Sequence, residues 1–83
     1  MRLFVRSEWA VKQLREYFNV VNVQRGRKEI MCEGYGEMFP VAGYEGWIVE
    51  IEEMVSARQI RRDYGLIVNN IDNAPWDFYY TEK

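Results

Sequence analysis

The longest regular pattern of apolar positions in the chain runs from Gly46 to Gly65. Apolar side chains recur there every three or four residues, which places them on one face of a helix. They are Trp47, Ile51, Met54, Ala57, Ile60 and Tyr64. Gly65 then supplies a residue that commonly ends a helix. The pattern predicts a single helix over this stretch, and this helix would be the central element of the fold.

A second interpretation of the same stretch begins with a strand. Alternate residues would then form its inward side, namely Trp47, Val49 and Ile51. Ser56 would cap a short helix after the strand, and Gln59 would complete a capping box. The alternation fails after Glu52, whereas the helical stripe continues to Tyr64, so the single helix is the preferred prediction.

The N-terminal residues predict a strand and then a helix. Residues 2–6 place three apolar side chains between two arginines, as in a short strand. Ser7 is a favourable N-cap, and Glu8 lies in the first turn, where the helix dipole stabilises an anion. The helix should end near Asn19. Its apolar stripe consists of Trp9, Ala10, Val11, Leu14, Tyr17 and Phe18.

A β-hairpin should follow, and after it an irregular segment. Two short strand-like runs, residues 19–24 and 28–33, flank a turn centred on Gly26. From Gly34 to Gly46, four glycines and a proline interrupt any strand. The segment is nevertheless too apolar for a linker that neither packs nor binds. Two interpretations remain open for it: an ordered loop whose aromatic side chains pack under the domain, and a recognition loop.

The C-terminal part predicts strands. Residues 66–71 are β-branched and are followed by a turn that contains Pro75. Trp76, Phe78 and Tyr80 then alternate with other residues, as in an edge strand or a docking tail. Such a dense group of aromatic side chains seldom remains in water, so it should pack on this domain or on a second chain.

The predicted elements follow the order β-α-β-β-α-β with an extra C-terminal edge strand. This order resembles that of the ferredoxin-like sandwich, in which two helices cover one face of an antiparallel sheet. The resemblance is one of element order and implies no activity. We expect one small two-layer α+β domain over residues 1–83.

Composition narrows the class of protein. The 83 residues are 48% hydrophobic and 16% aromatic, which is typical of a folded chain with a modest core. No apolar run approaches the roughly 18 to 20 residues of a membrane span, and charges lie where a signal peptide would be apolar. We therefore expect a cytoplasmic protein. Cys32, the one cysteine, cannot form an internal disulfide and should be a small buried hydrophobic side chain.

The sequence offers few groups for catalysis. It contains no histidine, the commonest general base and zinc ligand. Glu50 and Glu53 would share one face of the predicted central helix, and paired carboxylates can act as acid and base or bind a hard metal. No motif supplies further ligands, so a solvated acidic face is the preferred interpretation. We expect no catalytic residue, no metal and no cofactor.

Charged side chains are sorted along the chain. Residues 1–28 carry seven basic and two acidic side chains, whereas residues 29–57 carry seven glutamates and no basic residue. Interface cores favour tyrosine, tryptophan, phenylalanine and methionine, which are abundant outside the predicted helices. Interleaved carboxylates would steer such a surface toward a basic partner. The simpler alternative is that the aromatic residues form the core and the glutamates confer solubility.

These features favour a non-enzymatic protein-binding module whose partner has a basic surface. The candidate contact residues lie in the loop, the central helix and the tail: Tyr35, Glu37, Phe39, Tyr44, Glu45, Glu50, Glu53, Trp76, Asp77 and Tyr79. In size, charge pattern and lack of catalytic residues the chain is similar to phage-encoded inhibitors, including anti-CRISPR proteins. That similarity implies an inhibitor that blocks a basic nucleic-acid-binding surface of a host protein.

A small nucleic-acid-binding regulator is the alternative function. Basic side chains of the N-terminal half would form its phosphate-binding patch: Arg2, Arg6, Arg25, Arg27 and Lys28. Ferredoxin-like sheets bind RNA by stacking bases on aromatic residues of their central strands, and here those strands offer Phe4 alone. The net charge of −2 argues against this function. A homodimer is a further option, because the core is small.

Overall fold

The computed structural model describes residues 1–72 and the backbone of residues 78–82. Its elements are β1 (Arg2–Val5), α1 (Glu8–Tyr17), β2 (Val20–Gly34), β3 (Glu37–Ile51), α2 (Ala57–Tyr64), β4 (Asn69–Asn70) and β5 (Phe78–Glu82). The strands pair antiparallel in one sheet, in the order β4-β1-β3-β2-β5. The predicted α+β class is confirmed.

β1 and α1 form where the sequence predicts them. The hydroxyl of Ser7 accepts a hydrogen bond from the backbone amide of Ala10 at 3.1 Å, which caps α1. The helix buries Ala10, Val11 and Leu14, whereas Trp9 of the predicted stripe is 60% exposed. A local cap and a local apolar stripe are therefore sufficient to define this helix.

The predicted single helix from Gly46 to Gly65 is wrong, and the strand-plus-helix interpretation is right. Residues 46–51 are the end of β3, which lies between β1 and β2 and pairs with both. α2 begins after Ser56, whose hydroxyl accepts a hydrogen bond from the Gln59 amide at 3.0 Å, and it ends at Gly65 in the left-handed conformation. Pairing with two neighbouring strands outweighs the helical spacing, because it buries alternate residues of the segment on both faces of the sheet.

The predicted turn around Gly26 and the predicted irregular segment from Gly34 to Gly46 are also wrong. β2 and β3 are strands of 15 residues each, and the turn between them is at Tyr35 and Gly36. Gly26 lies inside β2, where it is buried opposite Gly46. Glycine is a common turn signal, but it also occurs inside strands, often where another backbone approaches closely.

Close packing and a bulge explain why β3 tolerates glycine and proline. A Cβ on Gly46 would collide with the carbonyl oxygen of Val5 and lie 2.7 Å from Cζ of Phe4, so β1 can approach only a glycine here. Pro40 lies next to a shift of register in the pairing of β3 with β2. Bulges and strand edges are the places where a sheet accommodates proline.

Both helices cover the same face of the sheet. Their apolar residues pack on alternate residues of β1 and β3, together with the connection between α2 and β4. The buried members of this core are Leu3, Val5, Ala10, Val11, Leu14, Val49, Ile51, Ile60, Leu66 and Val68. Phe4 and Ile48 alternate with these residues and point to the opposite face, the non-helical face, where they are also buried.

Two smaller predictions differ from the structure. The strand predicted at residues 66–71 is reduced to Asn69–Asn70, since Leu66 and Val68 pack into the core before β4 begins. Cys32 is exposed and not buried, because it lies on the part of β2 that extends beyond the helices.

Candidate functional site

The β2–β3 hairpin extends beyond the rest of the sheet. β1 pairs with β3 only at residues 47–50, and β5 pairs with β2 only at residues 26–30. Residues 31–41 therefore have no third strand beside them in the part of the chain that the structure describes, and we call them the arm. A 15-residue strand spans about 50 Å, so this hairpin sets the long dimension of the molecule, which measures 45 × 24 × 19 Å.

The tip of the arm is a two-residue turn. Tyr35 has φ 54° and Gly36 has φ 79°, the pattern of positive angles found in type I′ hairpin turns. Glycine and asparagine adopt such angles readily, but a bulky side chain rarely does, at a cost of about 1–2 kcal/mol. The Tyr35 side chain is fully exposed, so no packing within the chain offsets this strain.

The flanks of the arm combine exposed apolar groups with negative charge. Met38, Phe39 and Val41 are 39%, 44% and 57% exposed. Glu33 and Glu37 lie beside the turn and are exposed, and the arm contains no basic residue. A protruding surface of this composition is typical of an interaction site.

Tyr44 and Glu45 lie at the base of the arm and are held by neighbouring side chains. The guanidinium of Arg6 lies 4.2 Å from the centroid of the Tyr44 ring, in a cation–π contact. Arg27 donates hydrogen bonds to Glu29 at 2.6 Å and to Glu45 at 2.8 Å. These bonds raise the pKa of Arg27, and the bond to Glu29 has the larger effect. The Tyr44 contact joins the hairpin to the end of β1, whereas the Glu45 contact joins β3 to β2 within the hairpin.

Glu50 and Glu53 do not share a helix face, so the predicted acidic helix surface is wrong. Glu50 lies on β3 opposite Arg2. Glu53 follows β3, and both of its carboxylate oxygens accept hydrogen bonds from the backbone amide of Asn19, at 3.0 and 2.9 Å. Glu53 thus joins the end of β3 to the segment between α1 and β2, which is a structural role.

The other predicted contact residues belong to the C-terminal tail. Trp76 and Asp77 lie outside the described residues. Tyr79 is a residue of β5, opposite Glu29 of β2, and its side chain also lies outside the description. The predicted contact residues that the structure brings together are those of the arm: Tyr35, Glu37 and Phe39.

Basic side chains of the N-terminal half are engaged in separate contacts. The Arg2 amide and its Nε donate to the Asp72 carboxylate at 3.1 and 3.2 Å. Both hydrogen bonds lower the pKa of Asp72, and the bond from the Arg2 amide has the larger effect. The Arg25 guanidinium lies 4.6 Å from the centroid of the Trp47 ring.

Phe4 is 1% exposed, so it cannot stack on an RNA base without a rearrangement.

A cleft of about 450 Å³ opens beside the base of the arm, where β1 ends and α1 begins. Phe4 and Leu66 are buried residues of its lining, whereas Trp9 and Ile67 are 60% and 74% exposed. Arg6 supplies a positive charge. This volume lies in the range of ligand sites. Sequence reasoning missed the cleft, because its residues come from two distant segments that no local pattern connects.

Neither a metal site nor a known relative indicates the function. Within residues 1–72, no three His, Cys, Asp or Glu side chains are arranged to hold a metal ion. Neither described helix has the length and apolar character needed to cross a membrane. A scan against protein-family models and searches of curated proteins and solved structures found no match. The arm and the cleft are therefore the features from which a function can be inferred.

Proposed function

We propose that this chain is a protein-binding module that acts through its arm, by contact and not by catalysis. The observation that carries the proposal is Tyr35, a fully exposed aromatic residue at the tip of a protruding hairpin with φ 54°. Asparagine or glycine would form the same turn with less strain. A residue that destabilises the free chain and packs on nothing within it is well explained by contact with another molecule.

The aromatic and acidic side chains of the arm indicate what kind of surface the partner should have. Tyr35 and Phe39 would enter an apolar recess, since aromatic anchors supply most of the binding energy in many interfaces. Glu33 and Glu37 flank the anchors and carry negative charge into the same contact. The partner should therefore have a groove with an apolar floor and basic walls.

Inhibition of nucleic-acid binding would follow from this partner chemistry. Grooves that bind single-stranded nucleic acids combine positive charge with apolar or aromatic surfaces on which bases stack. An acidic arm with an aromatic tip would occupy such a groove in place of the nucleic acid. This is the support for an inhibitor comparable to the phage-encoded ones.

The sheet order supports a ferredoxin-like assignment as part of the same proposal. β4-β1-β3-β2 is the order in which two split βαβ units interleave, and β5 lies outside β2. In this arrangement the hairpin between the second and third strands is free to lengthen without disturbing the core. The arm would then be a functional extension of an ordinary scaffold.

Capture of partner proteins by charge variants tests the proposed function. Tagged wild-type protein and the variant Glu33→Lys/Glu37→Lys would be incubated with extract of the native host. The control Glu8→Lys/Glu16→Lys makes the same change of charge at exposed positions of α1. The arm variant should lose the main captured protein, the control should retain it, and single-stranded oligonucleotide should compete for it. Equal capture by the arm variant and the wild type would refute the proposal.

A further inference from the structure

The edge of β3 that faces β1 is only partly covered. β1 ends at Val5, opposite Trp47, and the chain leaves the sheet at Arg6. Residues 37–46 of β3 consequently have no strand on this side among the described residues. An uncovered edge of this length is a template for pairing with another chain.

Backbone hydrogen bonds show which residues face this edge. The Ile51 amide donates to the Met1 carbonyl at 2.8 Å, so Ile51 faces the β1 side. Every second residue of an antiparallel strand bonds to the same neighbour, which gives Gly43 the same direction. The bulge beside Pro40 shifts the alternation by one residue, so Pro40 and Met38 face this side within the arm. Pro40 has no N–H, so at this position the edge offers only its carbonyl oxygen.

We infer that two copies of this chain pair along this edge, antiparallel about a two-fold axis, with Gly43 of one copy opposite Met38 of the other. Both residues direct backbone N–H and C=O groups toward the edge, and the axis repeats the pairing. The two sheets would become one continuous sheet. Each copy would use the same surface, which closes the assembly at two chains.

This register brings opposite charges together. Glu37 of the second copy falls opposite Tyr44 on the same face of the sheet, because directly opposed residues share a face. Arg6 covers the Tyr44 ring on that face and makes no ion pair with a described residue of its own chain. Glu37 likewise has no ion-pair partner among the described residues. The dimer supplies each of these charges with its counterpart.

The same register places the tip of each arm beside the cleft of the other copy. Tyr35 of the second copy would lie where β1 ends, and Arg6 and Trp9 line the cleft at that point. Ile67 lines it from the connection between α2 and β4. Insertion of one aromatic ring would remove the exposed surfaces of Tyr35, Trp9 and Ile67 from water together. A single contact between the two copies would thus account for both the open cleft and the strained tip.

The dimer and the proposed partner complex use the same arm, so they exclude each other. The dimer would be a stored form in which the arm is covered until a partner displaces the second copy. Self-association of the purified chain decides the existence of the dimer, whereas capture from extract decides the existence of a partner. Either can fail without the other.

Sedimentation equilibrium over a series of protein concentrations tests the dimer. The wild-type chain should dimerise as its concentration rises. Arg6→Glu and Glu37→Arg should each remain monomeric, because each variant brings like charges together. An equimolar mixture of the two variants should dimerise again, because both contacts of the mixed pair are attractive. Lys12→Glu, an equal change of charge on exposed α1, should dimerise like the wild type.

Recovery by mixing cannot arise within one chain. Arg6 and Glu37 lie at opposite ends of the free part of the hairpin, which is roughly 30 Å long. Both positions are exposed, and circular dichroism would establish that each variant is folded. A wild-type chain that is monomeric at every concentration overturns the inference, and so does a mixture of folded variants that stays monomeric.

Discussion

Gly46 lies against the carbonyl oxygen of Val5 so closely that a Cβ at this position would collide with it. This contact lies at the end of β1, one residue beyond the last pair of β1 with β3, Val5 with Trp47. Gly46→Ala should lower the free energy of unfolding by about 2–3 kcal/mol, because the backbones of two central strands must move apart. Urea denaturation measures the change.

Gly43→Ala is the matched control for this prediction. Its Cβ would meet the guanidinium of Arg27, the end of a flexible side chain that can move aside. The loss should therefore be below about 1 kcal/mol. Equal losses at Gly43 and Gly46 would contradict the close approach of β1.

The start of α2 at Ser56 gives a second prediction. Ser56→Ala removes the hydroxyl that accepts a hydrogen bond from Gln59, and the free energy of unfolding should fall by about 1 kcal/mol. Ser7→Ala should have a similar effect at the start of α1. In a continuous helix through this segment, alanine at position 56 would be neutral or stabilising. A stabilising Ser56→Ala substitution would therefore count against the observed helix boundary.

β1 and α1 could be predicted because their signals lie close together in the sequence. Ser7 caps its own helix, and the stripe around Leu14 repeats within ten residues. The structure of residues 46–51 could not be predicted in this way, since Trp47 and Ile51 fit both a helical and an alternating pattern. The outcome depends on pairing with β1, whose residues are distant in the chain, and no local window contains that information.

The candidate site could be predicted in part. Aromatic and acidic residues between glycines indicate Tyr35, Glu37 and Phe39 as candidate contact residues, and the structure brings these three together in the arm. The same pattern predicts an irregular loop and not the end of a long hairpin. Glu50 and Glu53 share a face only in the predicted helix, which does not form. Whether such side chains bind a partner or the chain's own backbone depends on tertiary contacts.

The ion pair between Arg2 and Asp72 predicts a dependence of stability on pH. The pKa of Asp72 is lowered from its ordinary value of 3.8, chiefly by the hydrogen bond from the Arg2 amide. A lowered pKa stabilises the folded state above pH 3.8, and this contribution disappears as the pH falls through the folded-state value. The groups are largely exposed, so it should amount to less than about 1 kcal/mol.

Asp72→Asn isolates that contribution. The variant should be less stable than the wild type at about pH 6, and the two should converge as the pH falls through the lowered pKa of Asp72. Denaturant unfolding across this range measures the difference. A difference that stays constant with pH would show that the Asp72 charge is not responsible.

Tyr35 should affect stability and binding in opposite directions. Tyr35→Asn relieves the strain at the tip of the arm and should raise the free energy of unfolding by about 1 kcal/mol. It also removes the aromatic anchor, so capture of the partner should be lost. Tyr35→Phe keeps both the ring and the strain, and its stability should equal that of the wild type. A Tyr35→Asn variant that still binds would remove the functional reason for the strained turn.

Photo-cross-linking at the tip of the arm measures the proposed contact itself. Benzoylphenylalanine would replace Tyr35 in one protein and Met54, an 83% exposed residue outside the arm, in a second protein. After irradiation in host extract, position 35 should form a discrete adduct with a protein other than this chain, and position 54 should not. The same adducts from both positions, or none from position 35, would contradict binding through the arm.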